Sequence, residues 1–174
     1  LPQGTICYMS NRRVQSQLFL ASVSRPHIYS KSTLEEPIIS LYFDGGCSPN
    51  PGRKYGSFEV IFQSRSVLLK RRVDLGEGTN NEAEFDALWL ALTELLRFLE
   101  ENGLSPMGYS LEIFTDSTIV RNRMMGKNVI YKKWQASSER MFKFAEKCLR
   151  LTGLFKGHRV VWRGRDQNVN RFGH

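Results

Sequence analysis

Three carboxylates stand far apart in the chain, yet each falls at a boundary between elements: Asp44, Glu84 and Asp116. Asp44 follows the apolar run Ile38-Ile39-Ser40-Leu41-Tyr42-Phe43, Glu84 lies one turn into a segment of helical periodicity, and Asp116 closes the run Tyr109 to Thr115. A carboxylate is cheap at a strand end and expensive in mid-core, so these positions tolerate charge. Two strand ends and one helix start can converge at a single edge of a sheet. Converging carboxylates repel unless a cation holds them, which predicts a hard divalent ion, Mg²⁺ or Mn²⁺. Two such ions about 4 Å apart can activate a water and steady the leaving oxygen in phosphodiester hydrolysis. The plainer reading is three solvated surface acids.

The elements that must position these acids follow from the apolar pattern. Residues 38–43 form a short β-prone run, and 57–62 with 66–73 read as a hairpin. Phe85, Leu88, Trp89, Leu92, Leu95, Leu96 and Leu99 recur at helical spacing, with Thr79 or Asn80 as the cap and Gly103 as the stop. A fourth strand spans 109–115, helices are predicted near 117–125 and 132–151, and a last strand covers 159–162. The order βββαβααβ implies an α/β fold, a mixed five-stranded sheet flanked by helices. The polar stretch after it reads as a final helix, truncated or only begun at His174.

Bulk properties narrow the partner. The 174 residues, 41% hydrophobic and 24% charged, suit one globular domain of 37–174 behind an extension of 1–36. No apolar run approaches the roughly 18 residues that span a bilayer, so no membrane partner is expected. A net charge of +8 favours a polyanion, with nucleic acid the commonest. Cys7, Cys47 and Cys148 are too scattered for a disulfide framework or zinc site, which points to an intracellular setting. Residues 1–36 carry four Lys/Arg and six Ser, with no acid before Glu35. That is the composition of a mitochondrial or plastid leader, and it equally suits an arm docking on a ribonucleoprotein partner or a disordered tail. Otherwise a monomer is expected.

The wording around each acid adds a family. Phe43-Asp44-Gly45-Gly46-Cys47-Ser48-Pro49-Asn50-Pro51-Gly52 resembles the Asp-Gly…Asn-Pro-Gly opening of type 1 ribonuclease H. Thr79-Asn80-Asn81-Glu82-Ala83-Glu84 is similar to that family's Thr-Asn-Asn-x-x-Glu, and Thr115-Asp116-Ser117 to its Thr-Asp-Ser. The ordered set lies on the expected elements, and the resemblance covers 38–174. It implies an RNase H-like fold and an endonuclease that cuts the RNA strand of an RNA–DNA hybrid, leaving a 3′-hydroxyl and a 5′-phosphate. Asp44, Glu84 and Asp116 would be catalytic metal ligands. Gly45, Gly46, Cys47, Asn50, Asn80, Asn81, Ser117 and Arg165 would meet nucleic acid, the asparagine amides reading 2′-hydroxyls in the minor groove. Thr79-Asn80 and Ser117 are also plain helix caps.

The pattern departs at its end. The family's fourth acid stands four residues after an Asn. Counted from Asn168 that position is Phe172, which cannot bind metal; counted from Asn170 it is His174, which can and is preferred as the fourth catalytic and metal-binding residue. Asp166 is a third possibility, though it precedes the Asn. The family's Gly-His loop is missing, and His158, placed before the last strand, reads as structural. From Val120 to His174 fourteen Lys/Arg face three acids, and Lys127, Lys132, Lys133 and Trp134 fall where some members carry a basic, Trp-bearing protrusion. These would grip phosphates without reading sequence. A rival reading keeps the fold but not the chemistry: a catalytically weak or inactive module binding structured RNA in a larger ribonucleoprotein, such as an organellar ribosome. A domain excised from a polymerase-like polyprotein is also compatible with the start at Leu1.

Overall fold

The computed structural model describes residues 37–125 and 135–173, with backbone alone at 135–140. The expectations for 1–36, Lys127, Lys132, Lys133, Trp134 and His174 therefore lie outside the described residues.

Strands β1 (Ile38–Cys47), β2 (Gly52–Phe62) and β3 (Arg65–Gly78) precede helix α1 (Asn80–Glu101). After a 3₁₀ turn at Pro106–Gly108 come β4 (Ser110–Thr115), α2 (Thr118–Met124), α3 (Gln135–Thr152), β5 (Gly157–Trp162) and α4 (Arg165–Phe172). The sheet order is β3-β2-β1-β4-β5, with β1, β2 and β3 antiparallel and β4 and β5 parallel to β1. This is the expected mixed five-stranded sheet, and the polar stretch read as a final helix, truncated or only begun, forms α4, Arg-Asp-Gln-Asn-Val-Asn-Arg-Phe. No described helix is long and apolar enough to cross a membrane.

Alternation along β1 sends Ile39, Leu41 and Phe43 to one face, where they meet Phe85, Leu88, Leu92, Leu95 and Leu99 of α1 in the main core. All of these are fully buried. Trp89, part of the apolar period, is instead exposed. The opposite face carries a smaller cluster of Tyr42, Phe114 and Phe172, with Tyr42 and Phe114 stacked at 4.5 Å.

Two differences from the sequence reading bear on the site. Strand β1 does not end at Phe43 but runs through Asp44-Gly45-Gly46 to Cys47, with Asp44 opposite Ser57 of β2. Asp44 is thus inside β1, and it reaches solvent because parallel pairing with β4 stops at Tyr42–Phe114. Gly45 and Gly46 permit close approach within the protein itself: a Cβ on Gly45 would overlap the Ala83 backbone of α1, and one on Gly46 the Tyr55 ring. His158 is the second residue of β5, opposite Leu111, rather than preceding the strand.

Candidate active site

Helix α1 begins at a capping box. Thr79 Oγ1 accepts from Glu82 N–H (3.4 Å), and the Glu82 carboxylate accepts from Thr79 N–H (2.8 Å). Thr79 rather than Asn80 is the cap. Glu82 is consumed by this duty and buried, which leaves Glu84 to face the end of β1. Close packing of Ala83 against Gly45 sets the depth at which Glu84 sits beside Asp44. Asp116 follows the last residue of β4, where Ser117 N–H donates to Thr115 Oγ1 (3.0 Å) and Ser117 Oγ caps α2 through Val120 N–H (3.3 Å).

Each of Asp44, Glu84 and Asp116 offers an oxygen lying within 4.8 Å of those of the other two, in the one such metal-ligating cluster among the described residues. All three are partly buried. Oε2 of Glu84 is buried with no hydrogen-bond partner. Burial, and next the nearby Asp116, push the Asp44 carboxyl up to about 6, against smaller opposing effects from the Gly45 N–H and Arg165. The Glu84 carboxyl is raised well above its ordinary value by burial first, then by Asp116 and Asp44, with Arg165 opposing. An orphaned buried carboxylate oxygen beside two further carboxylates is a mismatch that a hard divalent cation removes.

The acids line a cleft of about 380 Å³ together with Gly45, Gly46, Cys47, Tyr55, Asn80, Trp162 and Arg165. Of the expected contact residues, then, Gly45, Gly46, Cys47, Asn80 and Arg165 border the acids. Cys47 is nearly buried, its thiol 2.9 Å from the Pro49 carbonyl and 3.1 Å from that of Gly78. Asn50 accepts from Asn80 N–H (3.2 Å) and so ties the β1–β2 loop to the head of α1. Asn81 is exposed on the first turn of α1, and Ser117 is occupied as a cap. At the departing end, Asn168 and Phe172 share the buried face of α4, and Phe172 packs on Tyr42 and Phe114. The count from Asn168 thus reaches a packing residue. Asp166 is exposed and outside the acidic cluster. Sequence reasoning misses Tyr55 and Trp162; the signal for Trp162 is its place at the end of a strand parallel to β4, opposite Thr115 and beside Asp116.

The RNase H family model matches residues 36–164. The chain belongs to the RNase H family. The ribonuclease H of Cereibacter sphaeroides is 32% identical over 132 residues, which is 73% of this chain and 81% of that protein. That of Bradyrhizobium sp. is 28% identical over 130 residues, 74% and 77% of the two. Among solved structures, RNase H1 of the archaeon Halobacterium salinarum has the same fold at TM-score 0.59 and 23% identity, covering 75% of this chain and 89% of that one. LC11-RNase H1, solved in complex with an RNA/DNA hybrid, aligns at TM-score 0.58 and 24% identity, covering 76% and 89%. This RNase H-family chain thus has the expected fold, with its three acids in β1, in the first turns of α1 and directly after β4.

Proposed function

We propose that the chain is an endonuclease that hydrolyses the RNA strand of RNA–DNA hybrids with Mg²⁺ or Mn²⁺. The observation that carries this reading is the convergence of Asp44, Glu84 and Asp116, with Glu84 Oε2 buried and unpaired. A bound divalent cation would supply the Lewis acidity that activates water and steadies the leaving oxygen in an in-line displacement with no covalent enzyme intermediate. The three carboxylates would hold it. Arg165, across the cleft at the head of α4, attracts the phosphate and offsets part of the acids' repulsion. Asn80 lines the cleft, and its amide would suit a ribose 2′-hydroxyl. The ribonuclease H relatives support the class, and the hybrid bound by LC11-RNase H1 supports the substrate.

One observation favours the weakly catalytic RNA-binding reading: among the described residues no fourth carboxylate joins the cluster, and Phe172 turns into the aromatic core. Labelled hybrid incubated with Mg²⁺ separates the two. Cleavage of the RNA strand that is lost on adding EDTA and in Asp116→Asn supports the nuclease. Tight binding with intact RNA at high protein concentration would replace it with the binding module.

A further inference from the structure

The cleft holds two aromatic side chains, and they differ in what their rings already touch. Tyr55 is engaged: Arg72 lies over its ring at 4.5 Å, and the ring packs so closely on Gly46 that a Cβ there would overlap it. Trp162 is 49% exposed, whereas Tyr42, Phe114 and Phe172 behind the sheet are at most 8% exposed. An indole so open contributes little to the core.

Its orientation is nonetheless fixed. Trp162 Nε1 donates to the backbone carbonyl of Asp116 at 3.2 Å. The backbone on either side is held as well, Trp162 lying opposite Thr115 in the parallel ladder and Arg163 N–H donating to Thr115 O at 2.9 Å. Behind it the Arg163 guanidinium packs 4.3 Å over Phe114. The indole is therefore tied to the same residue that supplies one of the three carboxylates, its polar atom satisfied and its apolar surface open to the cleft. Arg165 lines that cleft three residues on. An aromatic platform, a guanidinium and a carboxylate cluster suit, in turn, the base, the phosphate and the cation of one nucleotide.

The geometry points to Trp162 as a stacking platform for a nucleobase of the RNA strand next to the phosphate that is cut, so that the ring sets which phosphate meets the carboxylates. This rests on the hydrolase reading above. Because Trp162 acts by holding the strand, it is a positioning residue.

The test uses the full chain carrying Asp44→Asn, which disables the carboxylate cluster and leaves the hybrid intact. Into that background go Trp162→Leu and Trp162→Phe, each checked for folding by circular dichroism, with the chain that retains Trp162 as reference. Hybrid affinity is measured by fluorescence anisotropy with a series of hybrids, each lacking one RNA base. Trp162→Leu should weaken binding by about tenfold and Trp162→Phe by less than about threefold. At one position, base removal should cost the reference chain about tenfold and should cost the Trp162→Leu chain nothing further. With Asp44 intact, Trp162→Leu should raise KM about tenfold while kcat changes by less than about threefold. Equal affinities, or the same base-removal penalties in both chains at every position, would overturn the stacking role alone, provided the wild-type chain cleaves hybrid. A wild-type chain that neither cleaves nor binds hybrid would overturn the hydrolase reading and this inference with it.

Discussion

The core beneath α1 and the cleft at its head are built by the same two elements to opposite electrostatic ends. Under α1, Phe43, Leu88 and Leu92 meet with no exposed surface and no polar side-chain atom to satisfy. One residue further along β1 and one turn up the helix, Asp44 and Glu84 face each other and Asp116 with their carboxyls pushed toward the protonated form. The core's packing holds the cleft's repulsion in place. Stability and chemistry should therefore respond oppositely to substitution in the two regions.

The largest contrast is expected at Asp116. Asp116→Asn should lower hybrid cleavage by more than about a hundredfold, since loss of even a supporting partner behind a metal ligand costs roughly 10- to 100-fold. The metal-free variant should nonetheless melt no lower than the wild type at neutral pH, because one repelling charge is gone. A clear fall in its melting temperature would break the contrast. Phe43→Ala should do the reverse, costing about 3–5 kcal/mol of folding free energy in a denaturant titration while leaving the acids themselves untouched.

Gly45 joins the two regions. Gly45→Ala forces a Cβ into the Ala83 backbone, so α1 must shift from β1 and carry Glu84 with it. Metal affinity should fall more steeply than melting temperature; if both stay at wild-type values, the packing of α1 on β1 does not set the site.

The pH dependence has a definite sign. With the Asp44 carboxyl raised to about 6 and that of Glu84 also raised, the metal-free folded state keeps protons that the unfolded chain has released. Stability contributed by these protons is therefore present at low pH and lost as pH rises from about 4 through about 6. Relative to Asp44→Asn, the metal-free wild type should lose on the order of 5 °C in melting temperature across that window. A parallel course for the two proteins would remove Asp44 from the strained set. The smallest effect is expected at the cap, where Thr79→Ala should cost about 1 kcal/mol.

Much of this organisation could be read from the sequence because it is local. A boundary acid, a Thr-x-x-Glu cap and a helical apolar period each declare themselves within a few residues, as with Asp116, Thr79-Glu82 and Leu88-Leu92-Leu95. What escaped depends on partners distant in the chain. The apolar run of the first strand ends at Phe43, yet the strand continues through Asp44-Gly45-Gly46 to Cys47, its glycines demanded by the closeness of α1 and Tyr55. Helix α4 is legible only as a helix truncated or begun, because it has almost no apolar period and its buried Phe172 needs Tyr42 and Phe114 from two other strands. Trp162 reads as one more apolar residue in a terminal strand; only the register of β5 beside β4 places it at the acids. Trp89 is the converse, in period yet exposed.

Calorimetric titration of Mg²⁺ into the metal-free chain near pH 6, repeated in buffers of different ionisation enthalpy, tests most directly whether the three carboxylates share a cation. Saturable binding that releases protons, and that disappears when Asp44, Glu84 and Asp116 are together replaced by their amides, is the predicted result. Binding of undiminished affinity in that triple variant, or no saturable binding to the wild type, would contradict it.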